Sequence, residues 1–145
     1  MSGRFTIGRL SEATGTKVQT IRYYEQIGLL PPAPRTEGNQ RLYDDAVRRR
    51  LSFIRHARQL GFPVEAVREL LDLADHPERP CIHADRIARK QLKEIDGRVI
   101  HLTALRNELA RMIEQCTGDQ ISRCRVIEVV SDHALCLTAD HTSKH

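Results

Sequence analysis

The chain has 145 residues, of which 29% are charged, a size that fits one domain or a small domain followed by a long helix. It contains no apolar run long enough to span a bilayer and no apolar signal-peptide core, so the sequence predicts a cytoplasmic protein with no membrane partner. Residues 1–61 contain eleven Lys and Arg against five Asp and Glu, whereas residues 62–145 contain twelve against fourteen. The basic N-terminal part indicates a polyanionic partner such as nucleic acid, and the low aromatic content of 4% favours a mainly helical fold.

Two short helices are predicted at the N-terminus, over Ile7–Ala13 and Lys17–Ile27, with apolar side chains at helical spacing. The turn between them contains Gly15, which is the pattern of a helix-turn-helix motif. The second helix of such a motif enters the major groove of DNA. Tyr23 and Tyr24 point about 100° apart, so we expect one of them in the core. The candidate DNA-binding residues on this helix are Lys17, Gln19, Thr20, Arg22, Tyr23 and Tyr24.

The segment after the second helix predicts a hairpin wing. Three prolines within residues 31–34 exclude a helix and favour extended backbone, and Glu37–Asn39 can form the turn of a short hairpin. Candidate DNA contacts on this wing are Arg35, Asn39, Arg41 and Tyr43. Helices are then predicted from Asp44-Asp45 to about Leu60 and after Pro63, so residues 5–74 are expected to form a winged helix-turn-helix DNA-binding domain.

A long helix is predicted over residues 81–116, because Pro is absent from this segment and apolar residues recur at steps of three and four. At about 1.5 Å per residue this helix is ~52 Å long, more than the small N-terminal domain can cover. We therefore expect a dimerisation helix that pairs with a second copy of itself; the alternative is a helix packed along its own domain. The apolar row consists of Ala88, Leu92, Ile95, Val99, Leu102, Leu105, Leu109, Met112 and Cys116.

Several of these segments together carry a family resemblance. The run Thr20–Leu30, TIRYYEQIGLL, resembles the recognition-helix signature of MerR-family transcriptional regulators. Arg35–Tyr43 resembles the wing of that family, Phe53–Phe62 resembles its third and fourth helices, and the resemblance covers about residues 5–130. It implies a homodimer in which an antiparallel coiled coil joins two winged heads. It also implies a repressor and activator that distorts promoter DNA so that RNA polymerase can engage both promoter elements.

Three cysteines flank the predicted long helix: Cys81 begins it, Cys116 ends it, and Cys124 follows a loop of seven residues. The two ends of one straight helix of this length are about 50 Å apart, so Cys81 and Cys116 of one chain cannot share a metal ion. In the antiparallel dimer that the resemblance implies, Cys81 of one chain lies beside Cys116 and Cys124 of its partner. We therefore expect two three-thiolate sites, with residues 117–130 forming a metal-binding loop and a short helix.

Thiolates select soft metal ions. Two thiolates suffice for Cu(I) or Ag(I), whereas a third suits Hg(II), Pb(II) or Cd(II). The resemblance implies Cys at position 81 in divalent-ion sensors and Ser in copper sensors, so Cys81 favours Hg, Pb or Cd. The loop length is that of copper sensors, which keeps a Cu(I) sensor using Cys116 and Cys124 as the alternative. Zinc is less favoured, because zinc sensors pair two cysteines at the helix end and Thr117 follows Cys116 here. The family's usual Cys-Pro is replaced by Cys124-Arg125, which leaves the shape of the loop open.

Residues 131–145 are expected to form a disordered tail, with His133 and Cys136 as alternative accessory metal ligands. The sequence lacks a phosphate loop, a nucleophile elbow and a His-Glu-x-x-His motif, so it does not predict an enzyme. An alternative of a different class is a thiol or redox sensor. The cluster-bearing branch of the family packs four cysteines closely in the loop, where this chain has only Cys116 and Cys124, so a metal sensor is favoured.

Overall fold

The computed structural model describes residues 4–116 and 118–136, which fall into two compact units divided between Ile87 and Ala88. The described residues are mainly helical, as the sequence predicts. None of the described helices is long and apolar enough to cross a bilayer. The helices are α1 (Ile7–Thr14), α2 (Val18–Gln26), α3 (Asp45–Gln59), α4 (Val64–Ala74), α5 (Ile82–Glu114) and α6 (Arg125–Ser131), with 3-10 turns at Ile121–Arg123 and His133–Leu135.

Helices α1 and α3 begin at the residues that the sequence predicts, and each start is capped by a side chain. The hydroxyl of Thr6 accepts a hydrogen bond of 3.3 Å from the backbone N–H of Arg9 at the start of α1. The Asp44 carboxylate accepts one of 3.0 Å from the backbone N–H of Val47 at the start of α3. Each cap satisfies a backbone donor that has no partner inside its helix. The predicted starts of these two helices are confirmed.

The first unit has a single apolar core, in which α1 packs against α2 and α3, and α3 packs against α4. The segment between α2 and α3 forms two isolated antiparallel β-bridges, one within itself between Arg35 and Arg41 and one between Tyr43 and Phe5, which precedes α1. These bridges form the base and the arms of the wing. The core side chains are Leu10, Ile21, Tyr24, Leu29, Leu30, Tyr43, Val47, Leu51, Ile54, Ala57, Val67 and Leu71.

Three arginines of the first unit donate hydrogen bonds to backbone carbonyls, two of them at the ends of helices. The guanidinium of Arg55 donates to the carbonyl of Thr14 at the end of α1, and that of Arg68 donates to the carbonyl of Ile27 after α2, each at 2.8 Å. Arg50 likewise donates to a backbone carbonyl, 2.9 Å away, between α2 and the wing. A cation at a helix C-terminus satisfies carbonyls that lack intrahelical partners and complements the helix dipole. These arginines stabilise the unit, and Arg50 and Arg55 belong to the basic residues 1–61 from which a polyanionic partner was predicted.

The turn of the helix-turn-helix requires glycine at position 15. Gly15 has φ +67°, and a Cβ at this position would lie 2.8 Å from Nη1 of Arg55. We expect Gly15→Ala to lower the free energy of unfolding by about 1–3 kcal/mol, because the left-handed backbone is strained and the Arg55 cap is displaced. Gly8→Ala is the matched control, since a Cβ there meets nothing within 4 Å, and helix propensity predicts unchanged or slightly higher stability. Urea unfolding of both variants measures the difference, and equal effects would contradict it.

Helix α5 leaves most of its predicted apolar row exposed within the single chain. The exposed fractions are 58% for Leu92, 37% for Ile95, 54% for Val99, 62% for Leu102 and 57% for Leu109. At the end of the row Met112 is only 6% exposed, in the unit that also buries Val129 of α6. A row of exposed large apolar side chains on one helix is typical of an interaction surface.

The segment after α6 is structured in its described part, which differs from the predicted disordered tail. The Asp132 carboxylate accepts a 3.0 Å hydrogen bond from the backbone N–H of Ala134 and caps the turn at His133–Leu135. Arg111 of α5 donates a 2.6 Å hydrogen bond to the carbonyl of Leu135. These two contacts order residues 132–136, and residues 137–145 lie outside the described residues.

Candidate DNA-binding surface and metal centre

The outward face of α2 carries most of the predicted DNA-binding residues. Lys17, Gln19, Arg22 and Tyr23 are exposed, and Thr20 is half-buried. Arg22 also lines a cleft of about 680 Å³ between α2 and the wing. Its lining also includes the exposed Arg35 of the wing, so the cleft can receive an anionic group such as a phosphate of the DNA backbone.

Two predicted DNA-binding residues, Tyr24 and Tyr43, lie in the core instead. Tyr24 is 8% and Tyr43 1% exposed, because both rings pack into the apolar centre of the first unit. The hydroxyl of Tyr43 donates a hydrogen bond to the Glu25 carboxylate. Burial, together with the adjacent negative charge of Glu25, raises the pKa of Tyr43 to about 12. These two side chains belong to the core and do not face the candidate DNA-binding surface.

The wing is tied to α2 through Glu25, which the sequence analysis did not single out. Arg41 donates a 3.2 Å hydrogen bond to Oε2 of Glu25, whose side chain is only 9% exposed. Arg41 was predicted to contact DNA and is half-buried in this ion pair, whereas Arg35 and Asn39 are exposed and hydrogen-bonded to each other at 2.8 Å. Glu25 is the one acidic residue of α2, and this carboxylate on the helix before the basic wing was the sequence signal for such a tether.

The loop after α5 brings two of the three predicted metal ligands together. The Sγ atoms of Cys116 and Cys124 lie 3.8 Å apart and both residues are half-buried. With metal–sulfur bonds of about 2.3 Å, two sulfurs are about 3.8 Å apart in a tetrahedral site, about 4.0 Å apart in a trigonal site and about 4.6 Å apart in a linear site. The observed spacing is close to the tetrahedral and trigonal values and short for a linear site.

The third predicted ligand, Cys81, is an exposed free thiol immediately before α5. Among the residues that the structure describes, no three Cys, His, Asp or Glu side chains of one chain surround a common metal position. The pair Cys116 and Cys124 therefore needs a ligand from elsewhere to complete a three-coordinate site.

The surroundings of Cys124 and Cys136 in the second unit shift the pKa values of the two thiols in opposite directions. Hydrogen bonds from the backbone N–H of Ile127 and, to a smaller extent, from Cys116 and the N–H of Val126 lower the pKa of the Cys124 thiol, against the effect of burial. Burial and a hydrogen bond to Glu108 raise the pKa of Cys136. Since thiolates are the metal-binding form, Cys124 is suited to be a ligand, and Cys136 is held as a protonated thiol.

The family models for "MerR HTH family regulatory protein" and "MerR, DNA binding" match residues 5–74 and 48–112. The transcriptional regulator ZntR of Escherichia coli K12 is 37% identical over 133 residues, which cover 90% of this chain and 94% of ZntR. The chain belongs to the MerR family. This membership confirms the predicted mainly helical fold of a MerR-type transcriptional regulator and the prediction that the chain is not an enzyme.

Solved structures of two MerR-family regulators resemble this family member closely. PbrR691 from Ralstonia metallidurans CH34, in complex with lead(II), has a TM-score of 0.74 at 33% identity. The match covers 87% of this chain and 98% of the PbrR691 chain. MerR from Bacillus megaterium MB1, in complex with mercury(II), has a TM-score of 0.66 at 26% identity. This match covers 88% of this chain and 100% of the Bacillus megaterium chain.

Proposed function

We propose that this MerR-family regulator controls transcription in response to a soft divalent ion, Hg(II), Pb(II) or Cd(II). The ion is held by Cys81 of one chain and by Cys116 and Cys124 of its partner. The observation that carries the proposal is the 3.8 Å spacing of the Cys116 and Cys124 sulfurs, which lets both bind one ion and leaves room for a further thiolate ligand. When bound, the ion joins the two chains at each end of the coiled coil. The two similar structures that contain lead(II) and mercury(II) support a heavy-metal effector.

The homodimer supplies the missing ligand. The exposed apolar row on α5 is buried when two copies pair, and Cys81 and Cys116 flank opposite ends of this 33-residue helix. Only an antiparallel arrangement then brings Cys81 of one chain to the Cys116 end of the other. In the alternative function, a Cu(I) or Ag(I) sensor, Cys116 and Cys124 would act alone, and the sulfurs would move apart to the linear spacing.

Promoter DNA is the proposed macromolecular partner, and RNA polymerase responds to its distortion. The exposed side chains of α2 occupy the major groove, with Arg35 and Asn39 of the wing along the backbone. We expect Arg22→Ala to weaken operator binding by about 1–3 kcal/mol if Arg22 reads a base, and to weaken binding to all DNA sequences equally if it contacts a phosphate. Fluorescence anisotropy with operator and random duplexes separates these results, and unchanged affinity for both would exclude Arg22 from the interface.

Mixed dimers test the shared site directly. One chain lacks Cys81, and the other lacks both Cys116 and Cys124. In an antiparallel dimer of these two chains, one end keeps all three thiols and the other end keeps none. We expect this mixed dimer to bind one metal ion with the wild-type affinity, whereas each parent homodimer loses the three-thiolate site at both ends.

X-ray absorption on the loaded wild-type dimer should find three sulfur neighbours for each ion. Two sulfurs in line would favour the Cu(I) sensor. A mixed dimer that binds no better than its parents would contradict a site shared between the chains.

A further inference from the structure

A buried ion pair fastens the chain that follows the metal-binding loop to α5. Nη2 of Arg111 lies 2.9 Å from Oε1 of Glu108 and 2.6 Å from the carbonyl oxygen of Leu135, to which it donates a hydrogen bond. The Glu108 side chain is 4% exposed and that of Arg111 is 21% exposed. Surface pairs at this helical spacing contribute little to stability. This pair is largely desolvated and contacts a backbone group 24 residues away, so it acts between segments of the chain.

The other contacts of this region hold the same segment. Val129 of α6 is 1% exposed and Met112, next to Arg111 on α5, is 6% exposed, so the second unit has a small apolar core. The Cys136 thiol is hydrogen-bonded to the carboxylate of Glu108. Residues 135 and 136 are thus both attached to the Glu108–Arg111 pair, which we call the clamp.

The clamp and the cysteine pair attach α6 at both of its ends. At its start, Cys124 is the N-cap residue of α6, and its sulfur lies 3.8 Å from that of Cys116 just after α5. At its end, the turn at His133–Leu135 is held by Arg111. A metal ion bound by Cys116 and Cys124 therefore acts on the start of the same helix whose end the clamp holds on α5.

The clamp also has an incomplete set of hydrogen bonds. Nε of Arg111 is buried and has no hydrogen-bond partner among the described residues. A buried donor without an acceptor raises the free energy of the closed state relative to a fully satisfied one. Opening the clamp therefore requires less free energy than opening a fully hydrogen-bonded contact would.

We propose that Arg111 is a positioning residue that couples metal binding at the Cys116–Cys124 loop to the placement of α6. This inference rests on the proposed metal response, and it assigns Arg111 no contact with the ion. With the clamp intact, ordering of the loop by the ion fixes α6 on α5. Without the clamp, the ion still binds, but α6 is no longer held in a fixed position on α5.

Arg111→Met tests the coupling, because Met keeps the apolar stem and removes the guanidinium. Arg106→Met is the matched control, since Arg106 is exposed on the same helix. In metal-free protein we expect amide hydrogen exchange of residues 129–136 to rise about tenfold in Arg111→Met only. With Hg(II), the stoichiometry and the thiolate-to-metal absorption band should match those of wild type, and the metal-induced increase in transcription in vitro should fall about tenfold.

Each alternative role of Arg111 gives a different result. Full transcriptional activation by Hg(II) in Arg111→Met, or unchanged hydrogen exchange, would overturn the proposal. Loss of the absorption band would place Arg111 in the metal site itself and would also overturn it. If wild type neither binds Hg(II) nor responds to it, the proposed function fails, and the exchange data on metal-free protein still show whether the clamp holds the segment.

Discussion

Replacement of Cys116 by Ser should abolish the transcriptional response to Hg(II), Pb(II) and Cd(II), while operator binding by the metal-free protein stays unchanged. Cys116 lies 3.8 Å from Cys124 in the second unit, whereas the predicted DNA-binding side chains belong to the first. A serine hydroxyl does not replace a soft thiolate ligand. We expect metal affinity to fall more than about a hundredfold, because even outer partners of metal ligands contribute about 10–100-fold. Metal titration and transcription in vitro give the two measurements.

Cys136→Ser is the matched control, since it removes a thiol of the same unit but keeps a hydroxyl donor for Glu108. The Cys136 thiol is held protonated by burial and by the Glu108 carboxylate, both of which raise its pKa. We expect this variant to bind metal and to activate transcription like wild type. A full response to metal in Cys116→Ser would disprove the proposed switch, and loss of metal binding in Cys136→Ser would make Cys136 a ligand.

Replacement of Glu25 by Ala should destabilise the first unit and weaken operator binding together. The carboxylate accepts hydrogen bonds from Tyr43, which is 1% exposed, and from Arg41 of the wing. Its removal leaves the buried Tyr43 hydroxyl without this acceptor, at a cost of about 1–3 kcal/mol in the free energy of unfolding. The wing also loses its tether to α2, so we expect operator affinity to fall by about 1–2 kcal/mol, or roughly five- to thirtyfold.

Glu37→Ala is the control for charge. Glu37 is exposed on the wing, and its removal changes the net charge of the head as much as Glu25→Ala does. Loss of a negative charge near DNA favours binding, so Glu37→Ala should bind the operator equally well or more tightly. Urea unfolding and fluorescence anisotropy on both variants provide the comparison. Tighter operator binding by Glu25→Ala would show that its charge, and not the tether, governs affinity.

The features that short-range patterns encode could be predicted from the sequence. Thr6 and Asp44 cap helices because their hydroxyl and carboxylate oxygens reach backbone donors three residues away. The apolar row of α5 follows from helical periodicity alone, and its exposure agrees with an unpaired dimerisation surface. Cys116 and Cys124, which the loop brings together, are only eight positions apart in the sequence. The family signature residues likewise lie within continuous short segments.

Only the tertiary structure decided which polar side chains face outward. Tyr24 and Tyr43 resemble DNA-contacting residues in sequence, yet packing of α2 against the core and the wing buries both. Arg55 and Arg68 bind carbonyls 41 residues away, and Arg111 binds one 24 residues away. No local pattern specifies such partners, because a backbone carbonyl offers the same acceptor at every residue. Which carbonyl lies within reach of a guanidinium is determined by how the helices pack.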